Sequence, residues 1–213
     1  MMVVDSRPPI LGNAELLLIP GVIQIMGMPA LSPEITTIAQ LLALPDDGMR
    51  HELLDGVHAV TPSPTYAHQV MLRELEHWIA ESLEGQDRFQ VLWSPADIVL
   101  GPRTLVQPDL FVVDVPPGRQ VKSWADVGIP LLAVEVLSPA TATRDRGAKR
   151  RIYQQAGVAE YWIVDLDARL VERWRPEDTR PEIVTDVLEW EVPGSARRSP
   201  MDLPSVFTKA LGL

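Results

Sequence analysis

The run PLLAVEVLS, residues 130–138, is apolar on both of its alternating faces apart from a single acid, Glu135. A strand that is buried on both faces shows such a continuous apolar run, so these residues predict a central strand in a sheet covered on both sides. An unpaired carboxylate in that position is costly. Glu135 therefore needs a compensating partner, which the fold must supply.

The segments around this run alternate between strands and helices. Residues 91–100 and 104–114 are apolar and β-branched, and each is predicted to form one strand. Residues 140–157 are helix-like with Gly157 as the C-cap, and residues 159–167 follow as another apolar strand. This order of elements predicts an α/β fold.

Three local signals define the region upstream of these strands. Asp55-Gly56 between two apolar-containing runs predicts a β-hairpin with Glu52 on its first strand. Apolar residues spaced near 3.6 predict a long amphipathic helix over residues 68–83. Ser32 followed by a proline predicts the N-cap of a first helix that runs to Pro45.

The length of 213 residues suits one domain with a sizeable core. We expect residues 31–213 to form a single domain and residues 1–30 to be an N-terminal extension, with translation from Met26 or Met28 as an alternative. Residues 10–28 are too interrupted to span a membrane, and a signal peptide is not expected because Arg7 is offset by Asp5 and no convincing cleavage site follows. The interruptions are Asn13, Glu15, Pro20 and Gln24.

Charge and cysteine content restrict the possible partners and compartment. The 19 basic residues face 29 acidic ones, a net charge of -10, so the chain as a whole should repel a phosphate backbone and any nucleic-acid site must be local. The sequence has no cysteine, which excludes disulfides and thiolate metal sites and fits a reducing compartment. We expect a cytoplasmic protein with no membrane partner.

Two carboxylates lie inside apolar strands. Asp109 follows a proline in the run 104–114, and Glu135 lies in the central run. Each alone could be a satisfied ion pair or a capping contact, but two on neighbouring strands can share a hard cation such as Mg²⁺. That metal could activate a water and stabilise charge on a phosphodiester. Glu52 is a third candidate, as a metal ligand or as a salt-bridge partner in the hairpin.

The helix after Glu135 carries a second set of candidates. Asp145, Lys149 and Tyr153 are four residues apart and share one face. The plain alternative is a solvated i,i+4 pair of Asp145 and Lys149. Five basic residues lie within 144–151 of an otherwise acidic chain, which predicts a local phosphate-binding patch. The arginines proposed for phosphate are Arg144, Arg146 and Arg150.

Two further residues are weaker candidates. His68 begins the long helix and could carry a proton or contact phosphate, although a lone histidine there is more often structural. Asp97 is expected to form a buried structural pair.

Several separated motifs resemble the Uma-two family of restriction endonuclease-like proteins, in the PD-(D/E)XK nuclease superfamily. They run in order along the chain as RHELLDG, PSPTYAHQ, VQPDL, VEVLSPATATRDRGAKRRIY and AGVAEYWIVD. The resemblance implies a restriction-endonuclease-like core, a mixed central sheet flanked by helices, with an N-terminal β-hairpin. Pro108-Asp109 then corresponds to the PD element and Glu135 to the second acid. Leu137 stands where the pattern has lysine, and the resemblance implies that Lys149 replaces it.

The implied function is a Mg²⁺-dependent endonuclease that cuts DNA, with Mn²⁺ as an alternative cofactor, acting as a homodimer. Asp109 and Glu135 are the expected metal ligands, Glu52 a further ligand and Lys149 the catalytic cation. The competing hypothesis is a nucleic-acid-binding or regulatory protein that keeps the fold without turnover.

Overall fold

The structure is a computed structural model that describes residues 34–192 and 198–213. Ile35–Leu213 form one compact unit. The predicted N-terminal extension, the apolar run 10–28 and the N-cap at Ser32 lie outside the described residues. Within the described part, no helix is long and apolar enough to cross a bilayer.

Twelve described strands form three sheets. The largest has the order β10-β9-β8-β7-β6-β3, in which β7 and β8 are parallel and the other neighbours are antiparallel. A second sheet has the order β2-β1-β5-β4, and β11 pairs with β12. The strands are β1 (Arg50–Leu54), β2 (Val57–Thr61), β3 (Phe89–Trp93), β4 (Ile98–Gly101), β5 (Thr104–Val106), β6 (Leu110–Asp114), β7 (Leu132–Val136), β8 (Glu160–Asp165), β9 (Leu170–Trp174), β10 (Glu182–Val184), β11 (Val187–Glu191) and β12 (Arg198–Asp202).

The helices flank this mixed sheet, which confirms the predicted α/β class. The connection from β7 to the parallel strand β8 is one helical run in three segments, with a π-helical segment in the middle. The helices are α1 (Ile38–Leu42), α2 (Tyr66–Ser82), α3 (Ala142–Arg144), the π-helical segment (Asp145–Lys149), α4 (Arg150–Ala156) and α5 (Leu203–Leu211), with a 3₁₀ turn at Trp124–Asp126.

The predicted hairpin and long helix are confirmed. Asp55 and Gly56 join β1 to β2 with φ of 52° and 86°, the positive values that a two-residue type I′ turn requires. Helix α2 starts two residues before its predicted start, because the Thr65 side chain caps the His68 amide. The first helix was predicted to begin near Ser32, but α1 begins at Ile38, where a Thr37–Gln40 capping box fixes its start.

The prediction of one strand each for residues 91–100 and 104–114 is wrong. The first run splits into β3 and β4, and the second into β5 and β6, which belong to different sheets. A proline divides each run, Pro95 in the first and Pro108 in the second. Proline has no backbone N–H for a ladder, so a central strand cannot continue through it. Each run therefore passes from one sheet to the other at its proline.

The six-stranded sheet is buried on both faces, as the apolar run 130–138 predicts. Leu110 and Val112 of β6 pack in one core with α2 and α5, whereas Phe111 and Val113 pack in a second core with α4. On β7, Val134 belongs to the first core and Ala133 to the second. All five residues of β7 are buried, which makes it the central strand that the sequence predicts.

Candidate active site

Strands β6 and β7 bring Asp109 and Glu135 to the same face of the sheet. Phe111 pairs with Ala133 in antiparallel register, and both belong to the second core. Asp109 lies immediately before β6, and in the same register it stands opposite Glu135, so alternation along the strands directs both side chains to that face. Both are almost fully buried, at 3% exposure. Both line the smaller of two clefts described below, as ligands of a shared cation would.

Asp109 is held by three donors from separate elements. Arg50 Nη1 lies 2.7 Å from Oδ1, and His68 Nε2 lies 3.0 Å from Oδ2. The Val136 amide also donates to Oδ2, at 2.9 Å. Burial alone would raise the pKa of Asp109, but the hydrogen bond from His68 and the positive charges nearby outweigh it and hold that pKa below its usual value. Asp109 is therefore a stable anion.

Lys149 bridges the carboxylates of Glu135 and Glu52. Its Nζ lies 2.8 Å from Glu135 Oε1 and 2.8 Å from Glu52 Oε1. The Tyr153 hydroxyl donates to the same Glu135 oxygen at 3.0 Å. Burial works against the charged amine, but Glu135 and Glu52 more than offset this and raise the pKa of Lys149. Lys149 is only 2% exposed, so the alternative of a solvated pair with Asp145 is wrong.

The lysine reaches the site from an unusual backbone. The π-helical segment Asp145–Lys149 interrupts the helical run immediately before α4. Asp145, Lys149 and Tyr153 are all buried, which confirms that they share one face. Such π segments are rare and occur frequently at functional sites.

The site gathers four buried carboxylates. Glu52, Asp109, Glu135 and Asp145 face Lys149, Arg50 and Arg144, with His68 beside Asp109. Burial, followed by the neighbouring carboxylates, raises the pKa of Glu135 well above 4.5, although Lys149 opposes the shift. Burial also raises the pKa of Asp145. A bound cation would favour the ionised form of these carboxylates.

The donor set suits a hard cation that keeps most of its own water. No described residue hydrogen-bonds Glu135 Oε2, and Glu135 and Asp109 line the same cleft. In the described part of the chain, no three His, Asp or Glu residues are grouped to hold a metal. Glu52 Oε1 instead accepts from the Gln107 amide at 2.7 Å and contacts Lys149. One or two carboxylates are nevertheless the usual protein contribution to Mg²⁺ bound with water and phosphate.

Two clefts meet at Asp109. The smaller, of about 360 Å³, also contains Glu135, Arg144 and Arg146 in its wall. The larger, of about 650 Å³, extends along α2 and past the end of β3 at Trp93. Asp109, His68 and Arg50 belong to the walls of both. Asp109 and Glu135 are therefore buried in the protein but reach solvent through these clefts.

The three arginines predicted for phosphate differ in placement. Arg144 donates to Thr61 Oγ1 at 2.7 Å, and Arg146 contacts Asp165 and Glu172, both at 2.6 Å. Both line the smaller cleft. Arg150 lines neither cleft: its guanidinium stacks over Trp174 at 4.7 Å and donates to Gln154. Two of the three arginines therefore line the smaller cleft, and Arg150 lies away from it.

The two weaker candidates, His68 and Asp97, also differ in placement. His68 reaches Asp109, so its placement is in the site and not only at a helix start. Asp97 accepts from Gln107 Nε2 at 2.9 Å but is half-buried, whereas a buried pair was expected. Sequence reasoning missed Arg50. Its spacing of two from Glu52 on β1 was the available signal, because residues i and i+2 of a strand share a face.

Comparison with known proteins identifies the family. A family model described as "putative restriction endonuclease" matches residues 38–204, most of the chain. The chain belongs to the Uma2 family. A crystal structure of a putative nuclease of DUF820 from Anabaena variabilis superposes with a TM-score of 0.68 at 19% identity, covering 82% of this chain and 98% of that chain. This likeness shows that the Uma2 chain has the fold of that protein. No protein of curated function matches.

Proposed function

We propose that this Uma2 protein is a metal-dependent endonuclease that hydrolyses phosphodiester bonds in DNA. The proposal is carried by one observation: buried Lys149 Nζ lies 2.8 Å from Glu135, a carboxylate that lines the same cleft as Asp109. A fixed cation behind carboxylates in the wall of an open cleft is suited to phosphoryl chemistry. The family description and the likeness to the Anabaena nuclease-like protein support the same class of reaction.

Asp109 and Glu135 would hold the cation, Mg²⁺ or alternatively Mn²⁺. The cluster of buried carboxylates and Glu135 Oε2, to which no described residue hydrogen-bonds, support this role. When bound, a divalent cation supplies stabilisation of phosphate charge and a bound water of lowered pKa. Glu52 was predicted to be a third ligand, but its contacts to Lys149 and to the Gln107 amide support a positioning role.

Lys149 would hold a permanent positive charge behind Glu135 in the wall of the smaller cleft, where it offsets negative charge that develops during hydrolysis. Glu52 and Glu135 fix the position of its ammonium group, and Tyr153 orients the shared carboxylate. Arg144 and Arg146 line the same cleft and supply the local positive charge for phosphate binding that an acidic chain needs.

A nuclease assay tests the proposal. DNA and RNA substrates, single-stranded and duplex, are incubated with Mg²⁺, Mn²⁺ or EDTA. We expect cleavage of DNA with either metal, none in EDTA and none by Asp109→Asn. Asp114→Asn is the matched control and should cleave normally, since Asp114 pairs with Arg88 at the other end of β6 and lines neither cleft. Binding without cleavage under every condition would favour the competing hypothesis of an inactive nucleic-acid-binding protein.

A further inference from the structure

The larger cleft is directly continuous with the site around Asp109. Trp93, the last residue of β3, pairs with Leu110, and the Ser94 amide donates to the Asp109 carbonyl at 3.2 Å. Trp93 and Ser94 both line the larger cleft. A molecule in this cleft therefore lies against the chain segment that carries Asp109.

Trp93 presents an apolar surface to this cleft. It is 58% exposed, and Met49, also in the wall, is 43% exposed. A ligand that covered these side chains would bind favourably, because removing apolar area from water lowers the free energy. A volume of about 650 Å³ is within the range of small-molecule sites, which combine apolar walls with a few polar groups. The cleft therefore fits a flat, partly apolar ligand group.

The polar groups of the wall fit the edge of a nucleobase. Gln107 is 9% exposed and its Oε1 has no hydrogen-bond partner among the described residues. Its Nε2 faces two acceptors, Asp97 Oδ1 and the His51 carbonyl, so the amide orientation is fixed and Oε1 remains a vacant acceptor. Oε1 is itself buried in the wall, so an amino group on a base could donate to it once the wall opens slightly.

The walls of the two clefts suit different parts of a nucleotide. Both contain acidic and basic side chains, but the smaller has three arginines, Arg50, Arg144 and Arg146, and only the larger presents the exposed indole of Trp93. Single strands are commonly bound by basic side chains along the backbone together with aromatic side chains on which bases stack. A nucleotide can therefore place its phosphate at the carboxylates and its base towards Trp93.

We propose that the larger cleft binds an unpaired nucleobase of the strand to be cut, stacked on Trp93, so that the protein acts on unpaired nucleotides. This inference rests on the proposed nuclease function for the role of the neighbouring site. A base inside an intact duplex is stacked and paired on both sides, so it cannot enter the cleft without being extruded.

The test measures fluorescence anisotropy of a labelled oligonucleotide in EDTA, where no metal supports turnover. We expect the single strand to bind more tightly than the same sequence as a duplex. Trp93→Ala should weaken single-strand binding by roughly 5- to 150-fold, the equivalent of ~1–3 kcal/mol per stacked base, and Trp93→Phe should retain part of it. Tyr66→Ala is the matched control, because Tyr66 is 82% exposed and lines neither cleft.

Equal single-strand affinities for wild type and Trp93→Ala would overturn the inference, as would tighter binding of the duplex. Cleavage with Mg²⁺ separates this failure from failure of the proposed function. Cleavage of duplex and single strand at equal rates, unaffected by Trp93→Ala, would refute the base site and leave the nuclease intact. Binding that depends on Trp93 without any cleavage would support the base site and refute the nuclease.

Discussion

Replacement of Lys149 by methionine should destabilise the fold strongly. Lys149 is 2% exposed, and its ammonium contacts two carboxylates that are themselves only 1% and 4% exposed. Methionine fills a similar volume, so the main effect is the loss of the buried charge. Breaking a buried ion pair by removing one partner costs about 3–5 kcal/mol. For a domain of this size, a loss of 1 kcal/mol lowers Tm by about 2–4 °C.

Urea unfolding followed by circular dichroism in EDTA measures this effect. The double variant Lys149→Met with Glu135→Gln should recover part of the loss, because one of the two uncompensated carboxylates is removed with the lysine. Lys122→Met is the matched control at an exposed lysine and should change the free energy of unfolding by less than about 0.5 kcal/mol. A change of only a few tenths of a kcal/mol in the free energy of unfolding of Lys149→Met would refute the buried network of Lys149, Glu52 and Glu135. Cleavage assays on Lys149 variants therefore need a check of folding.

Three further outcomes are expected. Arg50→Gln should tighten Mn²⁺ binding in calorimetry by about tenfold or more, since like charges ~4 Å apart near a protein surface repel by ~4 kcal/mol. Arg88→Gln, at an exposed ion pair with Asp114, should leave that affinity unchanged. Folding raises the pKa of the Glu135 carboxyl. The contribution of this group to the free energy of unfolding in EDTA is therefore fully present below pH 4.5, and it declines as the pH rises towards the raised pKa. Urea titrations should show this decline in wild type and not in Glu135→Gln. Light scattering at micromolar concentration should give a dimer mass, and a monomer mass would contradict the predicted homodimer.

The elements that the sequence predicted correctly are those determined by neighbouring residues in the chain. The Asp55-Gly56 turn determines a hairpin by itself, because its positive φ values allow little else. The apolar run 130–138 likewise identifies β7 as central. The exchange of strands between sheets was not predictable in this way. Pro95 and Pro108 show where a run breaks, but not which sheet receives each half.

The site was predictable in part for a similar reason. Buried acids in apolar strands pointed to Asp109 and Glu135, and the spacing of four on a helix pointed to Lys149 and Tyr153. The contact of Arg50 with Asp109 joins residues 59 apart in sequence, and no local pattern sets that pairing. The burial of Lys149 also depends on tertiary packing, which the spacing of residues along the helix does not predict.

Anomalous diffraction from crystals containing Mn²⁺ tests most directly whether Asp109 and Glu135 form a metal site. We expect one strong anomalous peak coordinated by both carboxylates, at roughly the 2.0–2.2 Å typical of small hard divalent cations. Glu135→Gln crystals should lose that peak while keeping the fold. A wild-type crystal with Lys149 still bridging Glu52 and Glu135 and no Mn²⁺ near Asp109 would contradict the account.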